Sequence, residues 1–324
     1  MIKAAIAGGT GYTAGELLRI LINHPDVEIT AVTSTTTAGE PVHNIHRDLM
    51  GECNLKFTDK PGEPDVLFLC LGHGLSKEYL QINKISQNCK IIDLGNDFRL
   101  DEEYEGKKFV YGLCELNKEE IKKSSHVANP GCFATSILLG LIPLVSSGSV
   151  YDDIHITAIT GSTGAGKKLA DTGHFSYRDN NLSIYKLFSH QHLGEIRKTL
   201  SPLCVNNLPT INFVPFRGDF PRGIFASIYT KAKEGADASL LVEHYKEFYK
   251  DSPFVFVSDK EVSLKEVVNT NKCFIHIEHK NGQIHISSII DNLLKGASGQ
   301  AVQNMNLMFG LPEDRALRLK ANAF

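Results

Sequence analysis

KAAIAGGTGYTAGELLRIL, residues 3–21, is the stretch on which the fold turns. Residues 3–7 are a short apolar run of strand length, and Gly8-Gly-Thr-Gly11 is a turn. From about residue 14 to 23 the apolar side chains recur at helical spacing, with Leu17, Leu18, Leu21 and Ile22 on one face. Strand, glycine turn and helix in that order open a dinucleotide-binding βαβ unit. Gly8-x-x-Gly11-x-x-Ala14 fits its fingerprint. The glycines let backbone approach a pyrophosphate closely, and the helix N-terminus supplies amide donors. Gly8, Thr10, Gly11, Tyr12 and Thr13 are therefore cofactor-binding candidates.

Working outward, residues 27–32 read as the second strand, which runs into Thr33-Ser34-Thr35-Thr36-Thr37. NAD-specific folds usually place a carboxylate at this point to hold the ribose 2′-hydroxyl. Here hydroxyls replace it, so Ser34 and Thr35 can donate to a 2′-phosphate and NADP is the expected cofactor. Residues 66–71 and 90–94 are continuous in Val, Leu and Ile, as strands buried on both faces are. Gly72, directly after the first of these, is a further cofactor-binding candidate. The alternation predicts an α/β domain with a Rossmann-type, doubly wound parallel sheet over residues 1–131.

Beyond that the pattern changes. Residues 154–160, 223–229, 273–279 and 283–290 alternate or carry β-branched residues at strand length, and few helices separate the last two. This predicts an α+β domain with a mixed or antiparallel sheet over residues 132–295, serving catalysis and oligomerisation. Residues 291–309 read as helical again, and the segment 296–324 is expected to complete the first domain.

Composition limits the function classes. A formal net charge of -3 favours neither nucleic acid nor an anionic membrane, and no apolar run approaches the about 20 residues of a membrane span. The N-terminus lacks the pattern of a signal peptide. Seven scattered cysteines without a CxxC pair argue against a disulfide framework or a structural zinc site, and for a cytoplasmic protein.

One cysteine differs from the others. Asn129-Pro130-Gly131-Cys132 precedes the apolar helical stretch 133–145, which puts Cys132 at a helix N-terminus, where an anionic thiolate is favoured. Cys70 and Cys89, in strand runs, read as small core residues. A thiolate nucleophile needs a proton partner, and SHQHLGE, residues 189–195, offers two. His192 and Glu195 are three residues apart and share a helix face, so the carboxylate can orient the imidazole. His192 is the preferred acid/base and His190 the second choice. Two helical histidines in HxH would point apart, so no metal is expected there.

Arg99 and Arg222, each beside a strand end, are the candidate clamps for substrate phosphate or carboxylate. GSTGAGKK, residues 161–168, follows a strand and nearly matches a phosphate-binding P-loop. Lys168 stands where that motif needs Ser or Thr for magnesium, so the rival nucleoside-triphosphatase reading is weak; the alternative is a glycine turn beside the site.

Taken together these stretches resemble N-acetyl-gamma-glutamyl-phosphate reductases of arginine biosynthesis, type 1. The carriers are residues 8–21, DLGNDFRL at 93–100, YGLCELN at 111–117, ANPGCFATS at 128–136, residues 161–168 and 190–196, PRGI at 221–224 and DNLLKGASGQAVQNMN at 291–306. The resemblance implies NADPH-dependent reduction of an N-acyl-gamma-glutamyl phosphate to the 5-semialdehyde, releasing phosphate. It also implies Cys132 as nucleophile, the histidine segment as proton relay and a homo-oligomer. The small residues 296–299 would let the last helix approach the cofactor, and Asn304 would hold the nicotinamide amide or pack the helix. Cys114 stands where the family usually has proline, and Phe133-Ala134 where it has Tyr-Pro, which leaves the acyl cap open between acetyl and succinyl. The alternatives are a sister dehydrogenase acting on aspartyl or aminoadipyl phosphate, and a non-enzymatic NADP-binding sensor.

Overall fold

The computed structural model describes residues 1–100, 103–150, 152–205, 207–232 and 238–322. Two compact units emerge: Met1–Pro130 with Ala297–Arg318, and Gly131–Gly296 with the tail after Arg318. Ala323 and Phe324, the end of the expected C-terminal segment, lie outside the described residues.

The first unit runs β1 (Ile2–Ala7), α1 (Tyr12–Leu21), β2 (Val27–Thr33), β3 (Phe57–Thr58), β4 (Val66–Leu69), α2 (Ser76–Ile82) and β5 (Lys90–Asp93). A small ribbon of β6 (Glu103–Tyr104) and β7 (Lys107–Lys108) follows, then β8 (Val110–Tyr111), α3 (Cys114–Lys123) and β9 (His126–Ala128). The main sheet has the order β3-β2-β1-β4-β5-β9-β8, with every neighbouring pair parallel. All four residues of β4 and the last four of β1 are buried, as the unbroken apolar runs require. Chain direction across the sheet reverses at β1, so the ligand crevice of such a sheet lies at the C-terminal ends of β1 and β4.

The helix Gly299–Met308 belongs to this unit and is buried along its whole length. Its polar side chains are therefore spent inside: Asn306 reaches the His24 ring at 3.1 Å, and the Ser298 hydroxyl just ahead donates to the Thr13 carbonyl at 2.8 Å.

The second unit contains α4 (Cys132–Ser146), β10 (Ile154–Thr160), α5 (Phe175–Arg178), β11 (Ser183–Ile184), α6 (His192–Leu200), β12 (Ile211–Arg217), β13 (Ile224–Lys231), α7 (Ala238–Phe248), β14 (Val255–Ser258), β15 (Cys273–Lys280) and β16 (Gln283–Ile290). Its sheet is mixed, in the order β11-β12-β10-β13-β16-β15-β14. β10 and β12 pair in parallel, β14 and β15 likewise, and the remaining pairs are antiparallel.

Helix α4 is apolar all round and buried from Phe133 to Val145, so it packs between elements rather than over one. The Ser136 and Ser288 hydroxyls each donate to the other residue's carbonyl, at 2.9 and 2.7 Å, pinning α4 to β16. Pro143 lies inside α4 and has no N–H for the Leu139 carbonyl. The Tyr249 hydroxyl donates to that carbonyl at 2.6 Å, and Tyr245 does the same for Gly140. Among the described residues no helix is long and apolar enough to cross a membrane.

Candidate active site

In the first unit, Gly8 follows β1 with φ +78°, and a Cβ there would come within 2.6 Å of the Cys70 carbonyl oxygen. Only glycine can bring the turn this close to the end of β4. Gly11 is the N-cap of α1 and open, its nearest neighbour to an added Cβ being the Gly8 carbonyl at 3.9 Å. No acidic residue occupies the first turn of α1, where Tyr12 is exposed and Thr13 half-buried. An open glycine cradle beneath an unopposed helix N-terminus fits a dinucleotide pyrophosphate.

Thr10 completes this turn, and Gly72 is exposed in the loop after β4, on the neighbouring strand end. Ser34 and Thr35 lie just beyond β2; the Ser34 hydroxyl accepts from Thr37 at 2.8 Å, and Thr35 is exposed. Asn304, proposed to hold the nicotinamide amide or pack the helix, sits inside the first unit. It is wholly buried, and both Nδ2 hydrogens are spent, on the Gly112 carbonyl at 2.9 Å and the Asn129 side chain at 3.1 Å. Arg99 is also buried here, donating from Nε to the Asn129 carbonyl (2.9 Å) and from Nη2 to Leu94 (3.1 Å), so it holds the strand end that leads to the cysteine turn.

The second unit carries the thiol. Cys132 is the first residue of α4 and Gly131 its extended N-cap. The Gly131 amide donates to Glu195 Oε2 at 3.0 Å, and His192 Nε2 lies 3.8 Å from Glu195 Oε1. A Cβ on Gly131 would fall 2.4 Å from His192 Nε2 and 2.7 Å from Glu195 Oε1. The glycine is thus what admits the His192–Glu195 pair to the cysteine turn. Helix α6 starts at His192, so His190 precedes it rather than lying on it. The two rings are therefore not splayed apart, as a single helix would have them: they meet edge to face with centroids 4.5 Å apart. His190 Nδ1 accepts the His192 amide at 3.2 Å, which leaves its proton on Nε2 when the ring is neutral. No group of three metal-ligating side chains occurs among the described residues.

Gly296, expected to bring the last helix to the cofactor, instead abuts the thiol residue: a Cβ there would lie 2.8 Å from Cys132 Cβ. Arg222 forms a two-bonded fork with buried Asp291, at 3.0 and 3.1 Å. The P-loop reading of residues 161–168 is overturned. No α-helix follows the loop, only the short 3-10 turn Ser162–Ala165. Its amides at Gly161, Ser162 and Thr163 are spent on the carbonyls of Gly223, Phe220 and Pro221.

Residues 3–124 match the NAD binding domain of the semialdehyde dehydrogenases, and residues 132–292 match their dimerisation domain. The chain is 54% identical to an N-acetyl-gamma-glutamyl-phosphate reductase of Flavobacterium johnsoniae, with all of both chains covered. It is 52% identical over the same full coverage to the reductase of that name in Bacteroides fragilis. The chain belongs to the N-acetyl-gamma-glutamyl-phosphate reductase family.

Solved aspartate semialdehyde dehydrogenases share the fold. That from Vibrio cholerae superposes with a TM-score of 0.71 at 15% identity, over 96% of this chain and 98% of its own. That from Candida albicans, solved with NADP, gives 0.70 at 14%, over 95% and 98%.

Within a reductase-family site, two thiols of this chain serve as contrast to Cys132. Burial pushes Cys89 up to about 12 and Cys70 likewise upward, so neither carries a thiolate near neutral pH. Residues not picked out by sequence reasoning also lie against the candidate site residues. Tyr185 sits edge-on to His190 at 5.7 Å, its phenol pushed up by burial and then by negative charge on Cys132. Asp291, the partner of Arg222, opens the stretch DNLLKGASGQAVQNMN, but nothing in the sequence pairs it with an arginine 69 residues earlier.

Gly131 supplies a test. Its φ of −70° suits alanine, so Gly131→Ala acts only through the added methyl, which must displace the His192 ring or the Glu195 carboxylate. We expect kcat to fall by roughly 100-fold, the order of loss for an ångström-scale misplacement of a reacting group. NADPH affinity should stay unchanged in fluorescence titration; an alanine variant with wild-type kcat would remove the Gly131 argument.

Proposed function

We propose that the chain catalyses NADPH-dependent reduction of N-acetyl-gamma-glutamyl phosphate to N-acetylglutamate 5-semialdehyde, with release of phosphate. The observation that carries this reading is Cys132 at the start of α4 with the His192–Glu195 pair packed on its N-cap glycine. The substrate follows from the names its full-length relatives carry.

The Cys132 thiolate attacks the acyl-phosphate carbonyl, a C–S bond forms, the bond to the phosphate oxygen breaks, and a thioester remains. When bound, NADPH supplies the hydride that brings the thioester to the aldehyde level. Gly8, Thr10, Gly11, Tyr12, Thr13 and Gly72 would hold its pyrophosphate and adjoining groups, and Ser34 and Thr35 its 2′-phosphate. The first-turn amides of α4, which have no carbonyl above them within the helix, stabilise charge developing on the substrate oxygen. His192 protonates that oxygen and recovers the proton as the C=O reforms and the C–S bond breaks. Glu195 orients the ring, and His190 holds the start of α6. Arg99 and Arg222 are the proposed substrate contacts.

Residues 132–292 carry the dimerisation domain, and this supports a homo-oligomer. Exposed Leu169, Phe175, Leu182 and Phe188 in that stretch offer apolar surface for it. Seven free cysteines fit a reducing cytoplasm.

The test is phosphate-dependent formation of NADPH from NADP and N-acetylglutamate semialdehyde. Robust turnover with this substrate and none with aspartate semialdehyde is the expected result. The reverse pattern would point to the sister activity, and no turnover with either to an NADP-binding sensor. Cofactor choice is tested separately by Ser34→Asp, which sets a carboxylate where the 2′-phosphate is proposed to bind. We expect the ratio of kcat/KM for NADPH over NADH to narrow by about tenfold or more, the scale of one unfavourable charge contact. An unchanged ratio would place the 2′-phosphate elsewhere.

A further inference from the structure

Arg217 ends β12 and has no place in the chemistry above. Its position follows from sheet register. Thr160, the last residue of β10, pairs with Arg217, and along the same rows Ala158 pairs with both Pro215 and Ala226, and Ala226 with Ser288. Helix α4 crosses these rows with Gly140 over Ile228 and Ile286 and with Ser136 on Ser288. Its N-terminal turn, and Cys132 with it, thus points to the end of the sheet at which Arg217 stands. The face is also determined. Phe213 touches the Phe133 ring at 5.3 Å and the His190 ring at 5.6 Å. Alternate residues of a strand share a face, so Pro215 and Arg217 lie on the thiol side with Phe213.

The guanidinium stacks over the Tyr185 ring, 4.8 Å from its centroid. Its Nε is buried without a hydrogen-bond partner. Among the described residues no carboxylate pairs with it, whereas Arg222 is held bidentately by Asp291. A half-buried cation with an idle N–H is costly to maintain unless an anion arrives to meet it, and a guanidinium fork matches a carboxylate.

We infer that Arg217 is a substrate-binding residue that takes a carboxylate of the acyl-phosphate substrate. This rests on the proposed reaction. The carboxylate has two possible sources, the α-carboxylate of the glutamyl moiety or one carried on the acyl cap, and substrates with acetyl and succinyl caps separate them.

The experiment compares wild type, Arg217→Gln and Arg217→Lys in phosphate-dependent oxidation of both semialdehydes. For Arg217→Gln we expect the semialdehyde KM to rise about tenfold or more, as for loss of one charged hydrogen bond, with kcat and the phosphate KM changed little. Lysine should restore part of the loss. A rise with both caps assigns the α-carboxylate, and a rise with the succinyl cap alone assigns the cap. Unchanged KM for both, or a rise in the phosphate KM instead, overturns the inference. A second readout needs no cofactor: N-acetylglutamate and N-succinylglutamate should shield Cys132 from iodoacetamide in wild type and fail to do so in Arg217→Gln at the same concentration. Equal shielding would count against Arg217 even if wild type showed no turnover, so the two failures remain distinguishable. Arg217→Lys serves both assays should the glutamine variant not fold.

Discussion

Cys132→Ser is expected to abolish turnover in both directions while NADPH binding stays near wild type. A serine hydroxyl in the same place keeps the shape of the α4 N-terminus but is a far weaker nucleophile at neutral pH, because almost none of it ionises. The helix terminus can stabilise an anion but cannot create one from an alcohol of such high pKa. The nucleotide turn at Gly8 and Gly11 belongs to the other compact unit, so its affinity gives an internal control for folding. Steady-state kcat and a fluorescence titration with NADPH check both halves. A serine variant retaining a substantial fraction of wild-type kcat would falsify covalent catalysis through residue 132.

The second large effect belongs to His192. His192→Asn should slow the chemical step by roughly 10²–10⁴-fold, the usual worth of general acid–base catalysis. It should also lower the alkylation rate of Cys132 by iodoacetamide near neutral pH, since an imidazolium next to the cysteine turn favours thiolate. Glu195, 3.8 Å from Nε2, favours the protonated ring, and it is itself held by the Gly131 amide. His190→Asn should do less to the thiol, because that ring spends Nδ1 on the His192 amide and supports the start of α6. Alkylation rate measured against pH in both variants decides between them. If His190→Asn shifts the thiol titration and His192→Asn does not, the roles are reversed.

Much of this site was legible in the residues. The glycine turn, the hydroxyl run after β2 and the cysteine before an apolar helix are short-range patterns whose physics is local, and the structure places them at strand ends and helix starts. What stayed hidden depends on distant contacts. Asn304 looks like a polar residue available to a ligand until Gly112 and Asn129 take both its hydrogens. His190 and His192 look splayed until the helix is seen to begin one residue after Gln191. β12 escaped because Pro215 sits in it, and proline argues against a central strand. The strand tolerates it where only the two-residue β11 flanks its outer side, and Arg217 was overlooked along with it.

The first unit is discontinuous: the helix Gly299–Met308 closes it although the rest of its chain ends at Pro130. During synthesis at about 5–20 residues per second, the ribosome needs on the order of ten to thirty seconds to reach that helix after residue 130 has been made. Through that interval the parallel sheet waits with the Gly112 carbonyl and the Asn129 side chain lacking their Asn304 partner. The thiol-bearing unit, nearly complete by Gly296, has its chain in hand first. The N-terminal nucleotide fold thus receives its closing helix only after the whole stretch from Gly131 to Gly296 has been made.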